Sequence, residues 1–298
     1  MVKPTPAVVR AGRVLELFAA NPSRPFTLSE ISERIDVNRS SLLAVLHALV
    51  ETGLLARHAR HRTYELGPAA VSLGHAAFAQ HPEVEAARTQ MAALAEDLGV
   101  EALAAVPIGN EVVIVATAGR PRADGPVVRV GHRLPLGAPL GAVFVAWSQT
   151  ETIARWAARF DAVMASEWEG LLATVRSRGW ALTLDSDPRR LLGDVLEERS
   201  AHGVLRSDVG LELVVAKLGG VDYQLGELER STRYQVSTTA APVFDADGQV
   251  VLALALHGFD NPLDVSTIER VASRLMSSAR AVTRAVHGRE PTTGARHG

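Results

Sequence analysis

The sequence predicts a mixed α/β chain of two domains: an N-terminal winged helix-turn-helix, a linker helix, and a C-terminal α+β domain. Three observations carry this. A length of 298 residues exceeds the usual size of one domain, and a hydrophobic content of 47% is ample for two cores. Residues 1–67 read as three short helices followed by two short strands. From residue 82 onward, β-branched hairpins alternate with helical stripes.

The elements run in order. Thr5-Pro6 offers an N-cap and a proline at the first helical position, and Val9, Val14, Leu15, Leu17 and Phe18 form a helical stripe that Asn21-Pro22 ends. Thr27 to Glu30, read TLSE, is a capping box, with Leu28, Ile31 and Ile35 as the apolar face of a second helix. Asp36-Val37-Asn38 makes a turn. Asn38 caps a third helix, RSSLLAVLHALVETG, which turns Leu42, Val45, Leu46, Leu49 and Val50 inward and stops at Gly53. Two short helices joined by a tight turn, with another packed before them, make a helix-turn-helix. The first residues of its last helix enter the major groove in that arrangement, and here they are Asn38, Arg39, Ser40 and Ser41. Thr27 and His47 complete the candidate DNA-facing set on these helices. Capping and first-turn roles explain the same polar residues equally well, so the helix alone leaves the two readings open.

The residues after that helix favour DNA. Leu54-Leu55-Ala56 reads as a strand, RHARHR as a turn, and Thr63-Tyr64-Glu65-Leu66 as a returning strand. This is a two-stranded wing with Arg57, Arg60 and Arg62 at its tip. Beside a recognition helix such a wing lies along the DNA backbone, where guanidinium groups neutralise phosphates and release counterions. Charge is distributed accordingly: residues 1–80 carry 9 Lys+Arg against 6 Asp+Glu, leaving 22 against 27 for the remainder. A metal held by His58 and His61 would find no cysteine or carboxylate in the tip, so neither a metal nor another cofactor is expected.

Residues 68–81 predict a linker helix whose small residues suit a seam between two copies of the chain. Residues 82–98 predict another helix through Val84, Met91, Leu94 and Leu98, stopped by Gly99. AVPIGNEVVIVATAG is a hairpin with a Gly-Asn turn, and STTAAPVFDADGQVVLALALHG repeats the design with an Asp-Ala-Asp-Gly turn. A final helix from Pro262 to about Val286 closes the domain through Leu263, Ile268, Val271, Leu275 and Val282. Antiparallel strands flanked by helices make an α+β domain of residues 82–288, and residues 289–298 read as a disordered tail. Trp147, Trp156, Trp168 and Trp180 cluster in one stretch whose default role is core packing.

Several function classes drop out. The chain has no cysteine, which removes disulfides, thiolate zinc sites and thiol nucleophiles together. No apolar run approaches the ~20 residues needed to span a bilayer, and the start MVKPTPAVVRAG lacks a signal-peptide core, so a cytoplasmic protein is expected. There is no G-x-S-x-G, P-loop, G-x-G-x-x-G or H-E-x-x-H, so no enzyme is expected. The remaining alternative is a ligand sensor that acts through protein–protein contact without binding DNA.

The stretches TLSEISERIDVNRSSLLAVLHALVETGLLARHARHRTYELGPAAVSLG, NEVVIVATAG, VVRVGHRLPLGAPLG and STTAAPVFDADGQVVLALALHG resemble, in this order, the IclR-type bacterial transcription regulators. The resemblance implies a winged helix-turn-helix, a linker helix, a GAF-like effector-binding domain and a homodimer or homotetramer. By position it implies an effector pocket around Arg129, Gly137, Ala138 and Thr238, holding a small molecule that shifts affinity for a double-stranded operator. Two departures stand out. In the family the recognition helix usually carries a basic or polar residue where this chain has Leu43 or Ala44. The family's turn before the pocket appears here as LGAPLG, and an unusual insert occupies about 185–230, for which a lid, an oligomer contact and a pocket plug all remain open.

Overall fold

The computed structural model describes residues 5–120, 128–159, 165–201, 209–218 and 228–291. It begins with α1 (Pro6–Ala20), β1 (Phe26–Thr27), α2 (Leu28–Arg34), α3 (Arg39–Glu51), β2 (Leu55–His58) and β3 (Thr63–Leu66). Leu17, Phe18, Phe26, Ile31, Leu42, Leu46, Leu55 and Tyr64 form one apolar core beneath these elements. The capping box forms as the spacing predicts: the Thr27 hydroxyl accepts from Glu30 N, and the Glu30 carboxylate accepts from Thr27 N at 2.8 Å. Those hydrogen bonds hold the Glu30 carboxyl below its ordinary range.

The wing differs from expectation in two respects. It has three strands in the order β1-β3-β2, because the dipeptide Phe26–Thr27 pairs with Tyr64 and Thr63. Two residues are too few for any periodicity to show. Arg57 and His58 also belong to β2 rather than to the turn, paired across to Tyr64 and Thr63, so the turn is only residues 59–62.

Gly67 closes this unit onto α4 (Pro68–Gln80), its N–H donating to Leu54 O at 2.8 Å. No residue of α4 is buried. Next come α5 (Pro82–Leu98), β4 (Glu101–Ile108), β5 (Glu111–Ala118), β6 (Arg133–Pro135), α6 (Ala142–Val145), α7 (Thr150–Ala157), α8 (Ala165–Arg178) and β7 (Ala181–Leu184). After them lie α9 (Asp187–Ala201), α10 (Val209–Val215), β8 (Arg233–Tyr234), β9 (Val236–Phe244), β10 (Val250–His257), β11 (Leu263–Asp264) and α11 (Val265–Ala285).

A six-stranded antiparallel sheet, order β6-β5-β4-β10-β9-β7, organises the second half. Both expected hairpins lie at its centre. Successive strand residues face opposite sides, and both sides are apolar. Leu252, Leu254 and Leu256 of β10 face Met91 and Leu94 of α5 and Ile268, Val271 and Leu275 of α11. Leu103, Ile114 and Ala253 face α6 to α8, where Trp156 and Trp168 pack edge-to-face with centroids 5.7 Å apart.

The last helix starts later than Pro262. Leu263 and Asp264 pair with β8, and Asp264 then caps α11 by accepting from Thr267 N at 2.8 Å. Of the tail read as disordered, Arg289 N donates to Asp245 O at 2.8 Å and Glu290 pairs with Arg280 at 3.0 Å; residues 292–298 lie outside the described residues.

In the insert, Leu192 and Leu196 of α9 and Leu211 and Val215 of α10 form a small core against Leu140. Arg159 fastens it: one arm donates to Asn110 O and Leu136 O, the other pairs with Glu212 of α10 at 2.8 Å. Residues 202–208 and 219–227 of the insert lie outside the described residues.

Candidate nucleic-acid interface and small-molecule site

The residues read as DNA-facing split into two groups. Arg39, Ser40 and His47 are exposed on the outer side of α3, with the His47 side chain 71% exposed. Arg57, Arg60 and Arg62 are exposed on the wing; Arg57 lies over the Tyr64 ring at 5.8 Å, while Arg60 and Arg62 sit in the turn. Among the described residues none of these four arginines has an ion-pair partner. His58 and His61 stand 5.7 Å apart, ring to ring, within the same tip.

The other group is occupied locally. Asn38 Oδ1 accepts from Ser41 N and from the Ser40 hydroxyl, both at 2.9 Å, so Asn38 caps α3. The Thr27 hydroxyl donates to Glu30 and accepts from Glu30 N. The free features of this surface are therefore four guanidinium groups without ion-pair partners among the described residues, which suit phosphates.

The four residues carried over as an effector pocket lie in separate surroundings. Arg129 is exposed, and its N–H donates to His132 Nδ1 at 3.3 Å. Gly137 bridges to Leu140, and Ala138 N donates to Trp156 O at 3.1 Å, so that turn is closed on itself and on α7. Trp156 Nε1 completes the closure by donating to Leu140 O at 2.7 Å. Thr238 lies at the far end of β9, and among the described residues no hydrogen bond joins it to the turn or to Arg129.

Around Thr238 the sheet holds groups that the sequence did not single out. Thr238 is opposite His257 on one side and Thr183 on the other, and His257 is opposite Glu101. Cross-strand partners share a face, so Thr183, Thr238, His257 and Glu101 form a polar row across four strands. His257 Nε2 and Glu101 Oε2 are 3.2 Å apart and buried, yet neither makes a well-aligned hydrogen bond. Glu101 and His257 lie about 150 residues apart in sequence, each at the end of an apolar strand, and only strand register reveals the pair. Six residues beyond Thr183, α9 carries Arg189, whose Nε and Nη2 are buried with no hydrogen-bond acceptor among the described residues. Three positions on is Leu192, which packs toward Leu140, so Arg189 shares the inward side of that helix.

His132 is the other buried imidazole among the described residues. Burial, then the positive charges of Arg129 and Arg199, push it down from its ordinary 6.5 to about 4. It is neutral in the folded protein at pH 7, while the unfolded chain takes up a proton below about 6.5. Stability is thus full above that value and is lost as pH falls toward 4, by an amount on the order of 3 kcal/mol. Urea unfolding at pH 7.5 and 4.5 tests this: His132→Gln is expected to flatten the difference between the two.

The IclR helix-turn-helix domain family matches residues 7–59. A Pca regulon regulatory protein of Pseudomonas putida is 26% identical over 250 residues, 83% of this chain and 72% of that one. An IclR transcriptional regulator from Alicyclobacillus acidocaldarius shares the fold with a TM-score of 0.63 at 23% identity, covering 95% of this chain and 100% of that one. An IclR homolog complexed with 4-hydroxybenzoate, from Microbacterium hydrocarbonoxydans, aligns with a TM-score of 0.61 at 18% identity, covering 94% and 99%.

Proposed function

We propose, from the premise that this chain carries the IclR helix-turn-helix within the fold of the IclR-type regulators, that it is a DNA-binding transcription regulator controlled by a small molecule. Residues 1–67 act as the DNA-binding unit, 68–81 as the linker and 82–288 as the effector unit of a cytoplasmic protein. The observation that carries the reading is that Arg39, in the first turn of α3, and Arg57, Arg60 and Arg62 of the wing are exposed and have no ion-pair partner among the described residues. Exposed guanidinium groups without carboxylate partners suit the phosphates of a duplex.

The linker helix supports pairing of two copies. Val71 of α4 is 75% exposed, an apolar side chain that a helix seam on that side would cover. Two DNA-binding units held by such a seam read two half-sites, and a ligand that alters their spacing alters affinity.

The effector sits on the polar row. Arg189 meets an anionic group, and His257 with Glu101 meets a hydroxyl that donates to the carboxylate. The 4-hydroxybenzoate held by a protein of the same fold has both groups, so small hydroxylated aromatic acids are the first ligands to try. Two measurements test the proposal. Fluorescence anisotropy on DNA from upstream of the chain's own gene should show tight binding to one fragment, with log affinity falling by about 0.9 per phosphate contact against log salt. Quenching of tryptophan fluorescence by hydroxybenzoates should weaken about tenfold or more in Arg189→Ala, the scale of one lost charged hydrogen bond. Equal quenching in the variant would move the ligand elsewhere.

A further inference from the structure

The outer side of α3 is not uniformly polar. Leu42, Val45, Leu46 and Leu49 are buried against the rest of the winged domain, which leaves residues 39, 40, 43, 44, 47 and 48 as one exposed stripe. Its ends are polar, with Arg39 and Ser40 first and His47 near the far end. Its middle is Leu43 and Ala44, both exposed, with Leu43 51% exposed.

The charge of this domain's exposed surface decides what covers it: Arg39 starts the stripe, and Arg57, Arg60 and Arg62 are exposed on the wing. These arginines have no ion-pair partners among the described residues, and a second copy of the same surface would confront them with equal charge. A duplex instead brings phosphates to the arginines and base edges to the stripe. Leu43 and Ala44 carry no donor or acceptor, so hydrogen-bond readout is closed to them. The major groove offers such side chains one distinguishing feature, the C5 methyl of thymine, which cytosine, adenine and guanine lack.

We propose that Leu43 and Ala44 read thymine methyl groups at the middle of each half-site, while Arg39 and the wing fix the helix over them. This rests on the DNA-binding reading above and adds to it the class of base recognised.

The test uses the full chain and a pool of random duplexes, selected with and without 4-hydroxybenzoate. Each thymine of the selected site is then replaced singly by deoxyuridine, which removes the methyl and nothing else. One or two positions per half-site are expected to lose about fourfold in affinity, the worth of one buried methyl-sized group. Leu43→Asn is expected to abolish that difference while keeping the slope of affinity against salt, since the wing contacts persist. Placing 5-methylcytosine at the same positions should bind better than cytosine. Selective binding with deoxyuridine equal to thymine everywhere overturns the inference and leaves the DNA reading intact. A pool that yields no enriched duplex and no salt-dependent binding overturns both.

Discussion

Replacing Arg57, Arg60 and Arg62 together by alanine is expected to lower DNA affinity roughly a hundredfold per engaged subunit near 0.15 M salt. Each phosphate contact contributes a factor of salt concentration to the power of about 0.9, so each is worth roughly fivefold under those conditions. The log–log slope should flatten by about 2.7 at the same time. Both numbers derive from counterion release, which needs an exposed cation without a competing carboxylate, and the three side chains meet that requirement. Folding should hardly notice the change, because all three are exposed and the packing they give up is that of Arg57 over Tyr64. A cation–π interaction at an exposed position is worth about 0.5–1 kcal/mol. The triple lysine variant restores charge without the planar fork, so it should recover most of the slope. If alanine and wild type show the same slope, the wing does not lie on phosphates.

The contrast between that surface and the effector unit explains what the sequence disclosed. Helices α1 to α3 are legible because their apolar spacing, capping box and stops are all local, and local signals are what a sequence carries. The two central hairpins are legible for the same reason: a glycine turn between β-branched runs announces itself. Two-residue strands such as Phe26–Thr27 and Leu263–Asp264 give no period, so the third wing strand and the late start of α11 emerge only from pairing. The polar row is a more instructive omission. Thr238 and His257 face each other across the β9–β10 hairpin, but Thr183 and Glu101 come from strands distant in the chain, and nothing in the sequence fixes the register of β7 on β9 or of β4 on β10. Of the residues implied by resemblance, Thr238 lies in this row, whereas Arg129, Gly137 and Ala138 lie outside the strands.

Gly67→Ala should unfold or dislocate the junction between the winged domain and the linker helix, at a cost of roughly 3 kcal/mol or more. A Cβ on Gly67 would lie 2.2 Å from Gly53 O and 2.9 Å from two further backbone carbons, those of Gly53 and Leu55. No side chain can rotate away to relieve that. Gly53 itself cannot give, since it sits at φ 71°, and its carbonyl also accepts from Ala69 N at 3.0 Å. The end of α3, the start of β2 and the start of α4 therefore meet within one close backbone crossing. Any ligand signal that travels from the effector unit to α3 along the covalent chain must pass through it. Gly170→Ala is the matched control: nothing lies within 4 Å of its Cβ, so within α8 it should stabilise by about 0.5–1 kcal/mol. Thermal unfolding followed by circular dichroism separates the two variants by sign. Tryptophan fluorescence reports only residues 147–180, so ligand quenching should survive Gly67→Ala while DNA binding is lost. Were both variants to keep full DNA affinity and its response to ligand, the crossing at Gly67 would be a dispensable packing detail, and coupling would have to run between subunits instead.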